Sequence, residues 1–256
     1  MIFDTHAHYD AAQYDQDREE LLTGLADAGV GRVVNISNGW KDMLATLDLI
    51  RQYPWMYGTV GIHPCEIDDF DEDRFLLLKD YCHADKIVAV GEIGLDYYWV
   101  KEPEQRQRQR DWFARQLALA READLPVVIH SRDAAQETYD MMKREHAGTT
   151  GGVIHCYSGS AEMAREYVKL GYYLGIGGVV TFKNAKTLKK VVTEIPLSHL
   201  VLETDAPYLS PVPYRGKRNS SAYIRYVAEE IARLKGISRE EVEEATWENG
   251  MKLYRM

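Results

Sequence analysis

Short runs of β-branched and other apolar residues recur along the whole chain, and stretches with helical patterning separate them. Eight runs are predicted strands: Ile2–His6, Arg32–Ile36, Tyr57–Gly61, Ile87–Glu92, Pro126–His130, Gly152–His155, Tyr172–Ile176 and Leu200–Glu203. Their starts lie about 20 to 40 residues apart, which is the distance that a helical crossover between parallel strands requires. The chain has 256 residues, close to the roughly 250 of one (β/α)₈ barrel. We therefore predict an α/β fold, a single (β/α)₈ TIM-type barrel domain over residues 1–256.

Residue patterns between the predicted strands indicate helices. The longest candidate covers residues 104–124, and capping-box spacing occurs at Ser238 with Glu241 and at Asp133 with Gln136. Residues 207–221 are rich in Pro, Arg and Lys without periodicity, which predicts a long loop after the eighth strand.

Composition limits the partners. Acidic residues outnumber basic ones 40 to 31, giving a net charge of −9, which argues against a protein that coats nucleic acid by neutralising phosphates. Such a protein can still hold a phosphate if metal ions supply positive charge. No apolar run approaches the ~18 residues of a membrane span, and the three cysteines lack metal-type CxxC spacing. We expect a cytoplasmic protein with no signal peptide, no membrane contact and no obligate protein partner.

Polar residues with metal-binding chemistry follow the predicted strands at their carboxyl ends, where barrel active sites are found. They are His6, His8, His63, Glu92, His130, His155 and Asp205. His6 and His8 are two residues apart and therefore point to one face of an extended strand; Glu203 and Asp205 have the same spacing. A single strand-end histidine is more often a hydrogen-bonding or core residue than a ligand. The whole set is hard to explain without a metal.

The ligand types indicate which ions to expect. Imidazole and carboxylate ligands without thiolate suit divalent ions such as Zn²⁺, Mn²⁺ or Fe²⁺. Four histidines and two carboxylates exceed the needs of one ion, so we predict two divalent metal ions that share a bridging carboxylate. Glu92 is the best bridge, because its predicted strand lies between the strand of His6 and His8 and those of His130 and His155. No lysine stands at this point to serve as a carbamylated bridge.

Six short motifs are spread in order over nearly the whole chain. They are Asp4-Thr-His-Ala-His8, Gly61-Ile-His-Pro64, Gly91-Glu-Ile-Gly-Leu-Asp-Tyr97, Ile129-His-Ser-Arg132, His155-Cys-Tyr-Ser-Gly159 and Glu203-Thr-Asp-Ala-Pro207. With them the sequence resembles the TatD family of metal-dependent deoxyribonucleases, within the amidohydrolase-like barrels.

The resemblance implies roles for individual residues. His6, His8, Glu92 and Asp205 would hold one metal, and Glu92, His130 and His155 the second, with Zn, Mn, Mg, Fe or Ni as candidates. His63 would lie beside the site and bind substrate phosphate. Residues 215–219 resemble the motif that follows the eighth strand in the family. That motif usually continues with Glu-Pro, whereas this chain has Ser220 and Ser221, which puts the role of that glutamate in doubt.

The predicted reaction is metal-assisted hydrolysis of a phosphodiester, with Asp205 as both ligand and catalytic base. The expected partner is DNA, single-stranded or at a 3′ end, or another phosphoester substrate. Arg132, Lys183, Arg215 or Lys217 are either contacts to flanking phosphates or solvated surface charges. Two alternatives remain open at this point. The same metal centre would hydrolyse a small-molecule amide, lactone or phosphoester, or the chain would be a non-catalytic scaffold that binds a partner protein.

Overall fold

The eight strands alternate with helices in a computed structural model that describes residues 1–68 and 70–256. They run in parallel and follow one another in the order β1 to β8 in one sheet. Their bounds are β1 Ile2–Ala7, β2 Val30–Asn35, β3 Met56–Val60, β4 Ile87–Asp96, β5 Val127–Arg132, β6 Gly152–Ile154, β7 Tyr172–Ile176 and β8 Leu200–Leu202. β1 also bridges to the segment after β8, through Ala7 and Ala206. This is the order of a (β/α)₈ barrel, so the predicted fold class is confirmed.

The helices of the described residues lie between and after these strands. Their bounds are α1 Arg18–Thr23, α2 Trp40–Gln52, α3 Glu72–Tyr81, α4 Pro103–Glu122, α5 Ala135–Arg144, α6 Ala161–Lys169, α7 Lys186–Glu194, α8 Ile224–Lys235 and α9 Arg239–Leu253. The capping box of Ser238 and Glu241 is present at the start of α9. The one predicted at Asp133 is wrong: Asp133 adopts a left-handed φ of 53°, and Ala134 is the N-cap of α5. Among the described residues, none of the helices is long and apolar enough to span a bilayer.

Contacts divide the chain into two compact units. Unit 1 comprises Met1–Asn35, Cys156–Lys169 and Tyr173–Met256, and unit 2 comprises Ile36–His155 and Leu170–Tyr172. The single domain over residues 1–256 stays a prediction.

In unit 1, helix α9 covers β1. Every residue of β1 is buried, and the ring of Phe3 lies 5.8 Å from that of Trp247. Gly250 allows this approach, because a Cβ there would come within 2.6 Å of the Phe3 ring. The hydroxyl of Tyr254 donates a hydrogen bond to the carbonyl of Thr5 (2.8 Å). Packing and hydrogen bonds thus fix the position of β1, which carries His6.

In unit 2, strand β4 is longer than predicted. The sequence places its end at Glu92, but the strand continues to Asp96 with all ten residues buried. Its register with β5 shifts between Val90 and Ile93, so that three steps along β4 match two along β5. Glu92 lies in this irregularity, and such bulges turn a side chain away from the regular alternation. The prediction was wrong about the strand end because a bulge depends on pairing with a distant strand.

Candidate functional site

Three predicted ligands converge in unit 1, and we call His6, His8 and Asp205 the His6 cluster. The two Nε2 atoms of His6 and His8 are 3.1 Å apart. Asp205 Oδ1 lies 3.3 Å from His8 Nε2 and 3.8 Å from His6 Nε2. Both imidazoles are buried, whereas the carboxylate of Asp205 keeps 16% of its surface exposed. The three donor atoms therefore face one point that solvent reaches from the aspartate side.

The backbone of the segment after β8 holds Asp205 against β1. The N–H of Asp205 donates to the His6 carbonyl (2.9 Å), and the N–H of His8 donates to the Ala206 carbonyl (2.7 Å). The buried amide of Asn219 donates to the carbonyls of Thr204 (2.8 Å) and Tyr208 (2.7 Å), on either side of Asp205. These bonds define where the carboxylate stands.

The buried carboxylate of Asp4 supports the His6 cluster. It accepts hydrogen bonds from the Thr204 hydroxyl (2.6 Å) and N–H (3.0 Å), the Ser221 hydroxyl (2.5 Å) and the His6 N–H (3.2 Å). Burial raises the pKa of Asp4 to about 7, against the lowering effect of these bonds. Ser221, where the family motif usually differs, is thus part of this network. The hydroxyl of Ser220 accepts a hydrogen bond from the N–H of Ala222 (3.3 Å).

Four predicted site residues converge in unit 2, and we call His63, Glu92, His130 and His155 the Glu92 cluster. Glu92 Oε1 is their common neighbour. It lies 2.8 Å from His130 Nδ1, 3.8 Å from His63 Nε2 and 3.9 Å from His155 Nε2. Glu92 and His155 are buried. One carboxylate oxygen thus faces three imidazole nitrogens.

Two buried glutamines of α4 position the segments around this cluster. The Gln116 amide accepts from the N–H of Ile62 (2.8 Å) and donates to its carbonyl (3.1 Å), next to His63. The Gln109 amide donates to the carbonyls of Pro64 (3.1 Å) and Asp96 (3.3 Å). Both glutamines are about 1% exposed, so their hydrogen bonds fix the two segments relative to α4.

Asp96 holds the far side of the His130 ring. Its Oδ2 lies 3.1 Å from His130 Nε2, and its Oδ1 accepts from the N–H groups of Tyr98 (2.9 Å) and Trp99 (2.8 Å). Burial raises the pKa of Asp96, but the hydrogen bonds outweigh it and the pKa is lowered. An ionised Asp96 can accept the hydrogen of Nε2, which would leave the lone pair of Nδ1 available to a metal ion held beside Glu92. In metal-binding histidines, the ring nitrogen that does not bind the metal usually donates its hydrogen to a carboxylate, a backbone carbonyl or a water molecule.

His63 has the opposite arrangement. Its Nδ1 accepts a hydrogen bond from the N–H of Cys65 (3.1 Å), so its hydrogen is on Nε2. Nε2 is the nitrogen that faces Glu92. This tautomer makes His63 a hydrogen-bond donor toward the cluster.

The donor sets fit divalent metal ions. With Zn–N distances of about 2.0–2.1 Å, neighbouring donors of a tetrahedral ion lie about 3.3 Å apart. The separations in the His6 cluster are 3.1, 3.3 and 3.8 Å. Those around Glu92 Oε1 range from 2.8 to 3.9 Å. Both clusters combine imidazole with carboxylate, the chemistry that such ions prefer.

Two further residues of unit 1 have hydrogen-bond partners that the sequence did not predict. The carboxylate of Glu203, expected to share a face with Asp205, accepts a hydrogen bond from the N–H of Cys156 (2.7 Å). It occupies the space beside Gly175, where a Cβ would lie 2.0 Å from Glu203 Oε2. Arg218 pairs with Asp17 (2.8 Å), which orients it in this chain.

Sequence reasoning gave no role to Asp4, Asp96 or the two glutamines. Asp4 and Asp96 do lie within quoted motifs, at their first and sixth positions, so the motifs contained a signal. The glutamines of α4 carry no such signal, because their partners are distant in sequence.

Comparison with known proteins agrees with the fold and the motifs. A family model described as TatD related DNase matches residues 3–255. The chain is 44% identical to the uncharacterized metal-dependent hydrolase YabD of Bacillus subtilis, over 100% of both chains. It is 34% identical to the uncharacterized metal-dependent hydrolase YcfH of Escherichia coli, covering 100% of this chain and 96% of YcfH. The crystal structure of YjjV, a TatD homologue from E. coli, superposes with a TM-score of 0.93 at 32% identity, covering 100% and 98% of the two chains. The chain therefore belongs to the TatD family of metal-dependent hydrolases.

Proposed function

We propose that the protein is a divalent-metal-dependent phosphodiesterase, and specifically a deoxyribonuclease that acts as an exonuclease. The observation that carries the proposal is the convergence of His6, His8 and Asp205 on one point. The match of the chain to a family described by its DNase activity supports DNA as the substrate. The expected form is single-stranded DNA or a 3′ end.

The residues that would hold the ions are those that the resemblance implies. His6, His8 and Asp205 would bind one ion, and Glu92, His130 and His155 a second. The bridging role of Glu92 stays a prediction. Divalent ions in such sites lower the pKa of water from ~15.7 toward ~7 and so supply hydroxide at neutral pH. Zn, Mn, Mg, Fe and Ni are the candidate ions.

The chain's own residues supply proton transfer and substrate contacts. Asp205 is partly exposed, so its carboxylate can accept a proton from a water molecule that enters from solvent and pass it on to the leaving oxygen. His63 presents Nε2–H and would donate to a phosphoryl oxygen, where negative charge develops as the bond breaks. Asp96 would accept the hydrogen of His130 Nε2 and so leave Nδ1 available to the metal ion.

Net charge favours a second candidate. A charge of −9 disfavours long-range attraction of a polyanion, so the same residues acting on a small-molecule amide, lactone or phosphoester are the alternative.

The test is incubation of the purified protein with an end-labelled single-stranded oligonucleotide and Mg²⁺ or Mn²⁺, with and without chelator. Parallel reactions contain small cyclic amides, lactones and phosphoesters. Chelator-sensitive shortening by one nucleotide at a time would support the exonuclease. Cleavage of a small substrate without cleavage of the oligonucleotide would instead support the small-molecule hydrolase.

A further inference from the structure

Two large aromatic side chains are exposed directly after β4, in unit 2. Trp99 is 66% exposed and Tyr98 is 44% exposed. Their rings lie 4.9 Å apart and nearly perpendicular, at 85°. Exposing a tryptophan to this extent forgoes the free energy of burying it, and exposed aromatic clusters mark binding sites.

Two cationic side chains lie close to the Tyr98 ring, and one of them also lies close to Trp99. The guanidinium of Arg132, at the end of β5, lies 4.0 Å from the centroid of Tyr98 and 5.7 Å from that of Trp99. Lys101 Nζ lies 5.5 Å from the Tyr98 ring. In a chain of net charge −9, two cations thus lie close to exposed aromatic rings. We call Tyr98, Trp99 and Arg132 the aromatic platform.

The platform is attached to the Glu92 cluster. The N–H groups of Tyr98 and Trp99 both donate to Asp96, whose other oxygen lies 3.1 Å from His130 Nε2. The carbonyl of Arg132 accepts from the N–H of Tyr97 (2.8 Å). One carboxylate therefore fixes both the platform and the ring of His130, so a ligand stacked on the platform is held next to the cluster.

We propose that the aromatic platform binds a nucleobase of single-stranded nucleic acid while Arg132 contacts an adjoining phosphate. The proposal rests on the phosphodiesterase function proposed above and adds how the strand is held. Proteins bind single strands through aromatic rings, which stack on bases, together with cations, which follow the backbone. Neither a small amide nor a lactone would need this combination of a stacking surface and a phosphate contact.

The test separates base from backbone. Dissociation constants are measured by fluorescence anisotropy, with chelator present to prevent cleavage, for a labelled oligonucleotide and for its counterpart of equal length made of abasic residues. We expect Trp99→Ala to weaken binding of the base-containing strand by about 5- to 150-fold and to leave binding of the abasic strand unchanged. Trp99→Phe, which keeps a π-face, should recover most of the affinity. Arg132→Gln should weaken the binding of both strands.

Leu76→Ala is the matched control, since Leu76 is an exposed apolar residue of α3 (60% exposed) outside the platform; it should change neither strand. Three results would overturn the platform. In the first, the wild type cleaves the oligonucleotide but Trp99→Ala leaves the affinity for both strands unchanged. The same result is expected if the platform binds a protein instead of a nucleic acid. In the second, Trp99→Ala weakens the binding of both strands equally, which would indicate a structural role. If the wild type neither bound nor cleaved oligonucleotides, the proposed function would fail and the platform with it.

Discussion

Replacing Asp96 by asparagine would change one hydrogen bond of the Glu92 cluster and preserve two others. The asparagine oxygen can still accept from the N–H groups of Tyr98 and Trp99. The position now occupied by Oδ2, 3.1 Å from His130 Nε2, would hold an amide N–H₂, which cannot accept a hydrogen. Without an acceptor at Nε2, the neutral ring would favour carrying its hydrogen on Nδ1, the nitrogen 2.8 Å from Glu92 Oε1.

The magnitude follows from what that transfer removes. Nδ1 would no longer offer a lone pair, so metal binding would first require the unfavourable tautomer. Loss of such a carboxylate partner lowers metal affinity about 10- to 100-fold, which corresponds to about 1.4–2.8 kcal/mol. This agrees with the ~1–3 kcal/mol for a buried group left without its hydrogen-bond partner.

Isothermal titration calorimetry with Mn²⁺ and Zn²⁺ measures the effect on wild type and Asp96→Asn. Asp111→Asn is the control. Asp111 is an exposed acidic residue of α4 outside the cluster, so its replacement removes the same charge without touching the cluster. Circular dichroism checks that the variants are folded. Affinity of Asp96→Asn within about twofold of the wild type, or an equal loss in Asp111→Asn, would refute the reasoning about the His130 tautomer.

Three further predictions concern stability. Ser221→Ala removes a hydroxyl that donates to buried Asp4 and should lower the free energy of unfolding by about 1–3 kcal/mol, measured by urea denaturation; an unchanged midpoint would contradict it. Gly175→Ala places a Cβ 2.0 Å from the Glu203 carboxylate and should cost about 1–3 kcal/mol in the same assay, so wild-type stability would show that the carboxylate can move aside. Hydrogen bonds from an arginine and a lysine lower the pKa of Glu230 from 4.5 to about 2 despite partial burial. The stabilisation is therefore complete above pH ~4.5 and lost as the pH falls toward 2. Glu230→Gln should cost about 1 kcal/mol at pH 7, and this difference should shrink by pH 2.5; a difference independent of pH would be inconsistent with the ion pairs.

The strands could be predicted because periodicity and spacing are local properties. Each of the eight predicted runs overlaps an observed strand, and β7 has the predicted bounds. The proximity of His6 and His8 to Asp205 follows from the same information, since closing the sheet brings the first strand to the eighth. Convergence in space is what the sequence predicts here; the role of each residue as a ligand stays a prediction.

Other features depend on contacts between distant residues. The bulge at Glu92 arises from the register between β4 and β5, which residue patterning within β4 does not encode. Gln116 is 54 positions from its partner Ile62, and on a helix with many polar residues it resembles a solvent-exposed side chain. The capping box expected at Asp133 does not form, because the left-handed backbone there shifts the start of α5 to the residue after Ala134.

The hydrolytic account is tested most directly by comparing wild type with Asp205→Asn, measuring cleavage of an end-labelled oligonucleotide and bound metal in the same samples. Asparagine keeps an oxygen that can face His8 Nε2, which is 3.3 Å from Asp205 Oδ1 in the wild type, but it cannot accept the proton of a water molecule. The account predicts chelator-sensitive cleavage by the wild type, a collapse of turnover in the variant, and largely retained metal. A variant that binds metal and cleaves at nearly the full rate would contradict the role of Asp205.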